Sequence, residues 1–213
     1  MTALADIRPM VLHGRLVTLE PMEECHAAAL FKIGKEETIW TYMARGPLVS
    51  EADARELVRA ALREQEARRE VPFVIRLRAT KAVVGSTRYL DVQSAHGSVE
   101  IGWTFLHPSH WSTSAAAESE FLLAGHAIEV LGATRVWFKT DGRNLRAQRA
   151  LERWGVVREG VLRRHLRVRD SFIRDSVIYS ILPEEWPALK ARVTAALSAL
   201  WGGGVERRRR AEA

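Results

Sequence analysis

Glu100-Ile101-Gly102-Trp103-Thr104-Phe105-Leu106-His107-Pro108 is an apolar run closed by a proline. It predicts a strand that stops where the proline ring removes a ladder donor. Trp111-Ser112-Thr113-Ser114-Ala115-Ala116-Ala117-Glu118 follows as a turn of small residues. That turn leads into a segment whose apolar positions Phe121, Leu122, Ala124, Ile128 and Leu131 recur at helical spacing and end near Gly132. Arg135-Val136-Trp137-Phe138-Lys139-Thr140 is rich in β-branched and aromatic residues and predicts a second strand. Asp141, Gly142 and Asn144 then precede a short helical pattern from Leu145 to Trp154, with Gly155 placed as its cap.

Strand, turn, helix, strand, helix is a crossover unit with a parallel pair of strands, and such units place ligands at the carboxyl ends of the strands. The first N–H groups of a helix lack intrahelical partners, so Ser112 to Ala117 form a candidate anion site at a helix N-terminus. The same residues serve equally as an ordinary helix start capped by Ser112 or Ser114.

The order EIGW, a proline-ended strand, the small-residue turn with Glu118, the strand RVWFKTD, the segment NLRAQRALERWG and then VVREGVLRRHLRVRD resembles the GNAT acetyltransferases. Within them it is most similar to the Rim-type branch that acetylates protein amino termini, over roughly residues 12 to 187, a normal single-domain span. The resemblance implies that acetyl-CoA is the co-substrate and that the turn holds its pyrophosphate. The family turn reads Gln or Arg, two residues, Gly, one residue, then Gly or Ala. Here the corresponding positions are Trp111, Ser112, Thr113, Ser114, Ala115 and Ala116, with serine where the family has its first glycine. Glycine permits positive φ at low cost, but helical backbone angles do not require it.

With 213 residues, 47% of them hydrophobic, the chain suits one sizeable core rather than two domains. The expected organisation is a flexible arm over residues 1–10, one acetyltransferase-like domain over 11–200 and a basic disordered tail over 201–213. One cysteine, Cys25, excludes an internal disulfide and a cysteine-based zinc cluster, and it reads as a packed residue. Neither a secretory leader nor a run of about 18 apolar residues is present, so no membrane partner is expected and the cytoplasm is the expected compartment. The net charge is +6, with acidic residues interspersed among the basic ones as on a solvated mixed surface. Nucleic acid is therefore not the expected partner; a role for Arg207 to Arg210 in binding it is the minority reading. The oligomeric state is left open, a homodimer included.

Ahead of the central unit, Val11 to Pro21 predicts a first strand, Glu23 to Gly34 a helix, and Ser50 with Asp53 a capping-box start to a second helix. Trp40 in the intervening loop reads as a burial device. Pro72–Leu77, Ala82–Leu90 and the strand from Ser98 form an antiparallel run, in which Gly85 marks a close backbone approach. After Gly155, Val156–Arg163 and Phe172–Leu182 predict a hairpin with a basic connection containing His165, and Glu184–Leu200 predicts a last helix ended by Gly202-Gly203-Gly204. The fold class is mixed α/β: a central mixed sheet, antiparallel on its N-terminal side with one parallel crossover, flanked by helices.

Acetyl transfer to an amine requires a held and polarised thioester and a neutral amine. The resemblance assigns Glu100 as the base, acting directly or through water, and Asn144 to the pantetheine arm, although Asn144 is equally an N-cap. The family's hydroxyl acid falls at Ala147, so that role is not carried over and solvent protonates the leaving thiolate. His110, His126 and His165 share no ligand spacing, and no metal is expected. The expected acceptor is a primary amine, either a protein amino terminus or a small molecule. The alternative is a catalytically inactive module that binds CoA or a protein partner.

Overall fold

The computed structural model describes Leu4, residues 6–111 and residues 113–211, with side chains up to residue 198. In chain order the elements are β1 (Leu12–His13), β2 (Val17–Pro21), α1 (Ala27–Gly34), α2 (Glu51–Glu66), β3 (Val71–Leu77), β4 (Val83–Gln93) and β5 (Ser98–Leu106). They continue with α3 (Ser114–Glu129), β6 (Arg135–Asp141), α4 (Leu145–Trp154), β7 (Val157–Arg167), β8 (Ile173–Ile181) and α5 (Trp186–Ala211). The strands form one sheet in the order β1-β2-β3-β4-β5-β6-β8-β7. Among the described residues its one parallel pair is β5 with β6, as a crossover through α3 requires.

Helices cover both faces. On one, α3 and α5 close over Val99, Ile101, Val136 and Phe138. Phe121 of α3 meets Trp154 edge-on at 5.9 Å and stacks on Trp186 at 6.1 Å, tying α3 to α4 and α5. On the other face, α1 and α2 cover Val74 and Phe105, and Trp40 is fully buried there. Ser50 and Asp53 form the expected capping box: Ser50 Oγ accepts from Asp53 N at 3.1 Å and Asp53 Oδ2 from Ser50 N at 3.0 Å. Gly155 caps α4 at φ 89°, a conformation open to glycine at low cost. Among the described residues no helix is long and apolar enough to cross a membrane.

Four expectations are corrected. The arm is not free of the domain: Leu4 is buried in the main core and its N–H donates to Ser94 O at 3.0 Å. The predicted first strand is a hairpin of two short strands, β1 and β2, because the chain turns at Gly14, whose N–H donates to Val17 O at 2.9 Å. Cys25 is exposed, in a 3₁₀ turn ahead of α1. The last helix continues through the glycine triplet to Ala211, since glycine weakens a helix without sterically ending it. The side chains of Arg207 to Arg210 lie outside the described residues.

Glu118 ties the first hairpin to α3. Its carboxylate, 4% exposed, accepts the backbone N–H groups of Arg15, Leu16 and Val17 at 2.7, 2.7 and 2.8 Å. A Cβ at Gly14 would stand 2.6 Å from the Glu118 carboxyl carbon, so the turn fits around that group. Hydrogen bonds to a buried ionised acceptor contribute more than neutral ones, and an amide would turn an NH₂ toward N–H donors. Glu118→Gln is expected to cost about 3 kcal/mol, read as a lower urea midpoint at unchanged slope; a loss under about 0.5 kcal/mol would show that the turn is held by its own backbone.

Candidate functional site

Parallel pairing of β5 with β6 is confined to Ser98↔Arg135, Val99↔Val136 and Glu100↔Trp137. Beyond Glu100 the two strands part. On its other side β5 stays paired with β4, but with one extra residue: Ser86 faces Phe105 while Arg88 faces Gly102. Trp103 lies in this bulge at φ 50°, and a bulge bends its strand and re-aims its edge. Positive φ on a bulky residue is a strained state of the kind that gathers at functional sites. Gly85 lets β4 follow the bend, since a Cβ there would meet the Phe105 carbonyl oxygen.

The parted strands open a cleft of about 520 Å³, walled by β5, the end of β6, the start of α3 and α4, with Tyr42 and Met43 from the loop after α1. The α3 N-terminus faces it. The cap is Thr113 rather than Ser112 or Ser114: its Oγ1 accepts from Ala115 N at 3.3 Å and donates to His110 O at 2.7 Å. Ser114 takes the first helical position, so the turn needs no glycine there. Of the residues the sequence singles out, Trp111, Thr113, Ala116 and Asn144 line the cleft. Ala115 packs into the core, Ser114 stands at the helix start, and Ser112 lies outside the described residues. Asn144 caps α4, its Oδ1 accepting from Ala147 N at 3.1 Å, and Ala147 presents a methyl group to the cleft.

Three cations escape the sequence reading. Arg146, Arg149 and Arg153 recur at i, i+3 and i+7 on α4, so they share one helix face, and all three line the cleft. The Arg146 guanidinium lies 3.5 Å over the Trp111 ring, whose Nε1 donates to Leu106 O at 2.9 Å. This stack brings a positive charge from α4 to the position where the resembled family has Gln or Arg. Helical spacing in NLRAQRALERW was the available signal, hidden by reading the charges as a solvated face.

The floor of the cleft is ionic. Glu100 is 2% exposed and does not itself line the cleft; its Oε2 accepts from Lys139 Nζ at 2.9 Å, and Lys139 does line it. Burial pushes the Glu100 carboxyl above its ordinary value, and the attraction and hydrogen bond of Lys139 oppose that rise. Asp141, also buried, is held below its ordinary value: burial would raise it, but the hydrogen bonds and charge of Arg143 prevail, with Nη2 at 2.7 Å from Oδ2. Lys139 was hidden in the sequence because its meeting with Glu100 depends on the parallel register. Among the described residues no three metal-ligating side chains converge.

Residues 16–157 match the acetyltransferase (GNAT) domain family. The chain is similar to a putative acetyltransferase of known structure from T. thermophilus, 39% identical with TM-score 0.81, covering 90% of this chain and 98% of that one. It is also similar to a GCN5-related N-acetyltransferase from Brucella melitensis, 28% identical with TM-score 0.85, covering 92% and 88% respectively. Mycobacterium smegmatis RimJ, solved in complex with CoA-disulfide, shares the fold at 22% identity and TM-score 0.76, covering 92% of this chain and 97% of that one.

The Glu100–Lys139 pair yields a stability test. Lys139→Met leaves a buried carboxylate without its cation, which costs several kcal/mol in a closed interior and less here because the Lys139 side chain is 25% exposed. A loss of about 2 kcal/mol at pH 8 is expected. The folded-state carboxyl pKa in this variant lies above its unfolded value, so folding takes up a proton and the deficit shrinks as the pH falls through that raised value. Denaturant unfolding from pH 8 to pH 5 checks this; a deficit constant across the range would refute an unpaired charge as its cause.

Proposed function

Because the chain belongs to the GNAT acetyltransferase family, we propose that the cleft binds acetyl-CoA and that the protein moves its acetyl group to a primary amine by direct attack. The observation that carries this reading is the coincidence of three features at one opening: two parallel strands parted at Glu100↔Trp137, a helix N-terminus aimed between them, and the arginine face of α4. A long ligand with an anionic end fits that combination. The parted edges offer main-chain hydrogen-bonding groups along the length of an amide-bearing arm, while the start of α3 and Arg146 offer donors and positive charge to a pyrophosphate. Bound there, acetyl-CoA supplies an activated acyl group as a thioester.

The protein's own residues supply the rest. Thr113 and the first turn of α3 hold the anionic end, and Ala116 keeps the approach open. Asn144 fixes the start of α4 beside the arm. Glu100 takes the proton that the amine loses on forming its new N–C bond, through water beside Lys139 because the carboxylate sits behind that side chain. Lys139 opposes the effect of burial on the Glu100 carboxyl, favouring its charged form. The C–S bond breaks as the amide forms, and with a methyl group at Ala147 the thiolate takes its proton from solvent. The Rim-type resemblance supports a protein amino terminus as the acceptor. The open floor between Tyr42, Trp103 and Lys139 suits a small amine as well.

Calorimetric titration of acetyl-CoA comes first. Saturable binding is expected, weakened at least about tenfold by Ser114→Glu, which sets a carboxylate at the helix start. No binding to the parent protein would sink the reading. A screen of amine acceptors follows, in which Glu100→Gln is expected to lower kcat by about 10²-fold or more with the acetyl-CoA affinity retained. Binding without turnover on any amine would instead favour a non-catalytic CoA-binding module, the reading to which the methyl group at Ala147 inclines.

A second test concerns charge. Arg146→Ala is expected to weaken acetyl-CoA binding about tenfold and to flatten its dependence on salt, because the arginine face meets its anion near the surface. An unaltered salt dependence would remove Arg146 from the binding site.

A further inference from the structure

Arg174 of β8 is unlike the other cations of the cleft. The residue is 7% exposed, yet it lines the cleft floor. Its Nε donates to Ser176 Oγ at 3.0 Å and its Nη1 to Tyr42 O at 3.3 Å, both neutral acceptors. A guanidinium has five N–H donors, so most of its capacity is unused. Among the described residues Arg174 belongs to no ion pair within 4.0 Å. Glu100 and Asp141 are close enough to attract it, but each is already matched, Glu100 by Lys139 and Asp141 by Arg143. Burial lowers its affinity for its proton against that attraction. A buried charge without its own counterion is costly to keep, and the counterion it lacks is an anion entering the cleft.

Its position selects which ligand brings that anion. Asp141, the last residue of β6, pairs with Ser176, so Arg174 lies just past the end of β6. There it is near Glu100, and the Tyr42 carbonyl oxygen accepts from it. We propose that Arg174 binds a carboxylate carried by the acceptor close to its amine, so that acidic acceptors are preferred over their neutral counterparts. This inference rests on the amine-transfer reading above and narrows its substrate class. With Lys139 matched to Glu100 and Arg143 to Asp141, Arg174 leaves the group one positive charge in excess, which a monoanion neutralises and a dianionic phosphate overshoots. The planar fork of the guanidinium pairs with a carboxylate through two parallel hydrogen bonds, which leaves the neighbouring amine on the Glu100 side. Such a carboxylate belongs either to a free α-amino acid or to a peptide whose first residue is Asp or Glu.

The test compares matched acceptors by kcat/KM: α-amino acids against their C-terminal amides, and peptides beginning with Asp or Glu against those beginning with Asn or Gln. Wild-type protein is expected to favour the carboxylate member of at least one set by about tenfold or more, and the set that shows it identifies the source of the carboxylate. Arg174→Gln is expected to bring that ratio close to one, and Arg174→Lys to keep part of it. A merely structural contact between Arg174 and the Tyr42 loop would lower both members alike and leave the ratio unmoved, overturning the proposal, as would equal wild-type rates in both sets. Binding is measured separately by calorimetry, titrating the N-acetylated amino acids and peptides and their amide counterparts into protein saturated with CoA. Carboxylate-dependent binding that Arg174→Gln abolishes supports the site even where turnover is absent, in which case the catalytic reading alone fails. The absence of any carboxylate preference in binding overturns the proposal while leaving acetyl-CoA binding intact.

Discussion

The parting of β5 from β6 is the constraint on which the rest of the structure depends. Two strands that separate inside a sheet leave main-chain donors and acceptors without partners, and such groups are costly in an interior unless something meets them. The gap persists because each strand is held from its far side: β5 by β4 as far as Gly85↔Leu106, and β6 by β8 from Val136 to Asp141. The extra residue at Trp103 sets the direction in which β5 leaves. A bulge anywhere else in the ladder would bend a paired edge; here it widens an unpaired one.

An opening is useful only if a helix points into it, and the direction of α3 is fixed by Glu118. Three backbone donors of the first hairpin converge on that one carboxylate, so the sheet's outer edge and the start of α3 are a single mechanical unit. This explains how the turn does without the family's glycine. A loop with positive φ at that position would favour one, whereas a helix that begins directly at Ser114 behind a Thr113 cap presents its free N–H groups with ordinary angles. The cationic side chain of the family's turn is likewise supplied from elsewhere, by Arg146 stacked on Trp111.

Much of this was legible in the sequence, and the boundary of legibility has a physical cause. The Ser50–Asp53 box, the Gly155 cap and the close approach at Gly85 are local or nearest-neighbour facts, and the sequence reads them as they stand in the fold. Side-chain meetings that depend on register are not legible in this way. Glu100 is singled out by the sequence, but its pairing with Lys139 follows from a register that sets Trp137 level with Glu100 and Lys139 two residues beyond, where the strands have parted. The isolated position of Arg174 follows from a hairpin closing back on β6. The exposed thiol of Cys25 and the burial of Leu4 depend on tertiary neighbours that no local window contains. Charge was the most misleading signal: evenly mixed along the chain, it is sorted by the fold into an arginine face on α4 and an ion-paired floor.

That sorting sets the direction in which a ligand lies. Along α4, Arg146, Arg149 and Arg153 put positive charge on the cleft wall, and on the proposed reading this charge draws an anionic end and weakens with salt. At the floor, positive and negative groups alternate within a buried network, Lys139 on Glu100 and Arg143 on Asp141. Bulk salt screens such pairs poorly, and their fields are short-ranged because neighbouring charges cancel. A molecule with an anionic tail and a neutral head therefore has one favourable orientation, with the tail at α4 and the head between Glu100 and Tyr42. The opposite orientation would bring a multiply charged tail to a floor whose single unmatched cation is Arg174. On the proposed function, polarity along the cleft, more than any single contact, directs the reactive end toward Glu100, the proposed base.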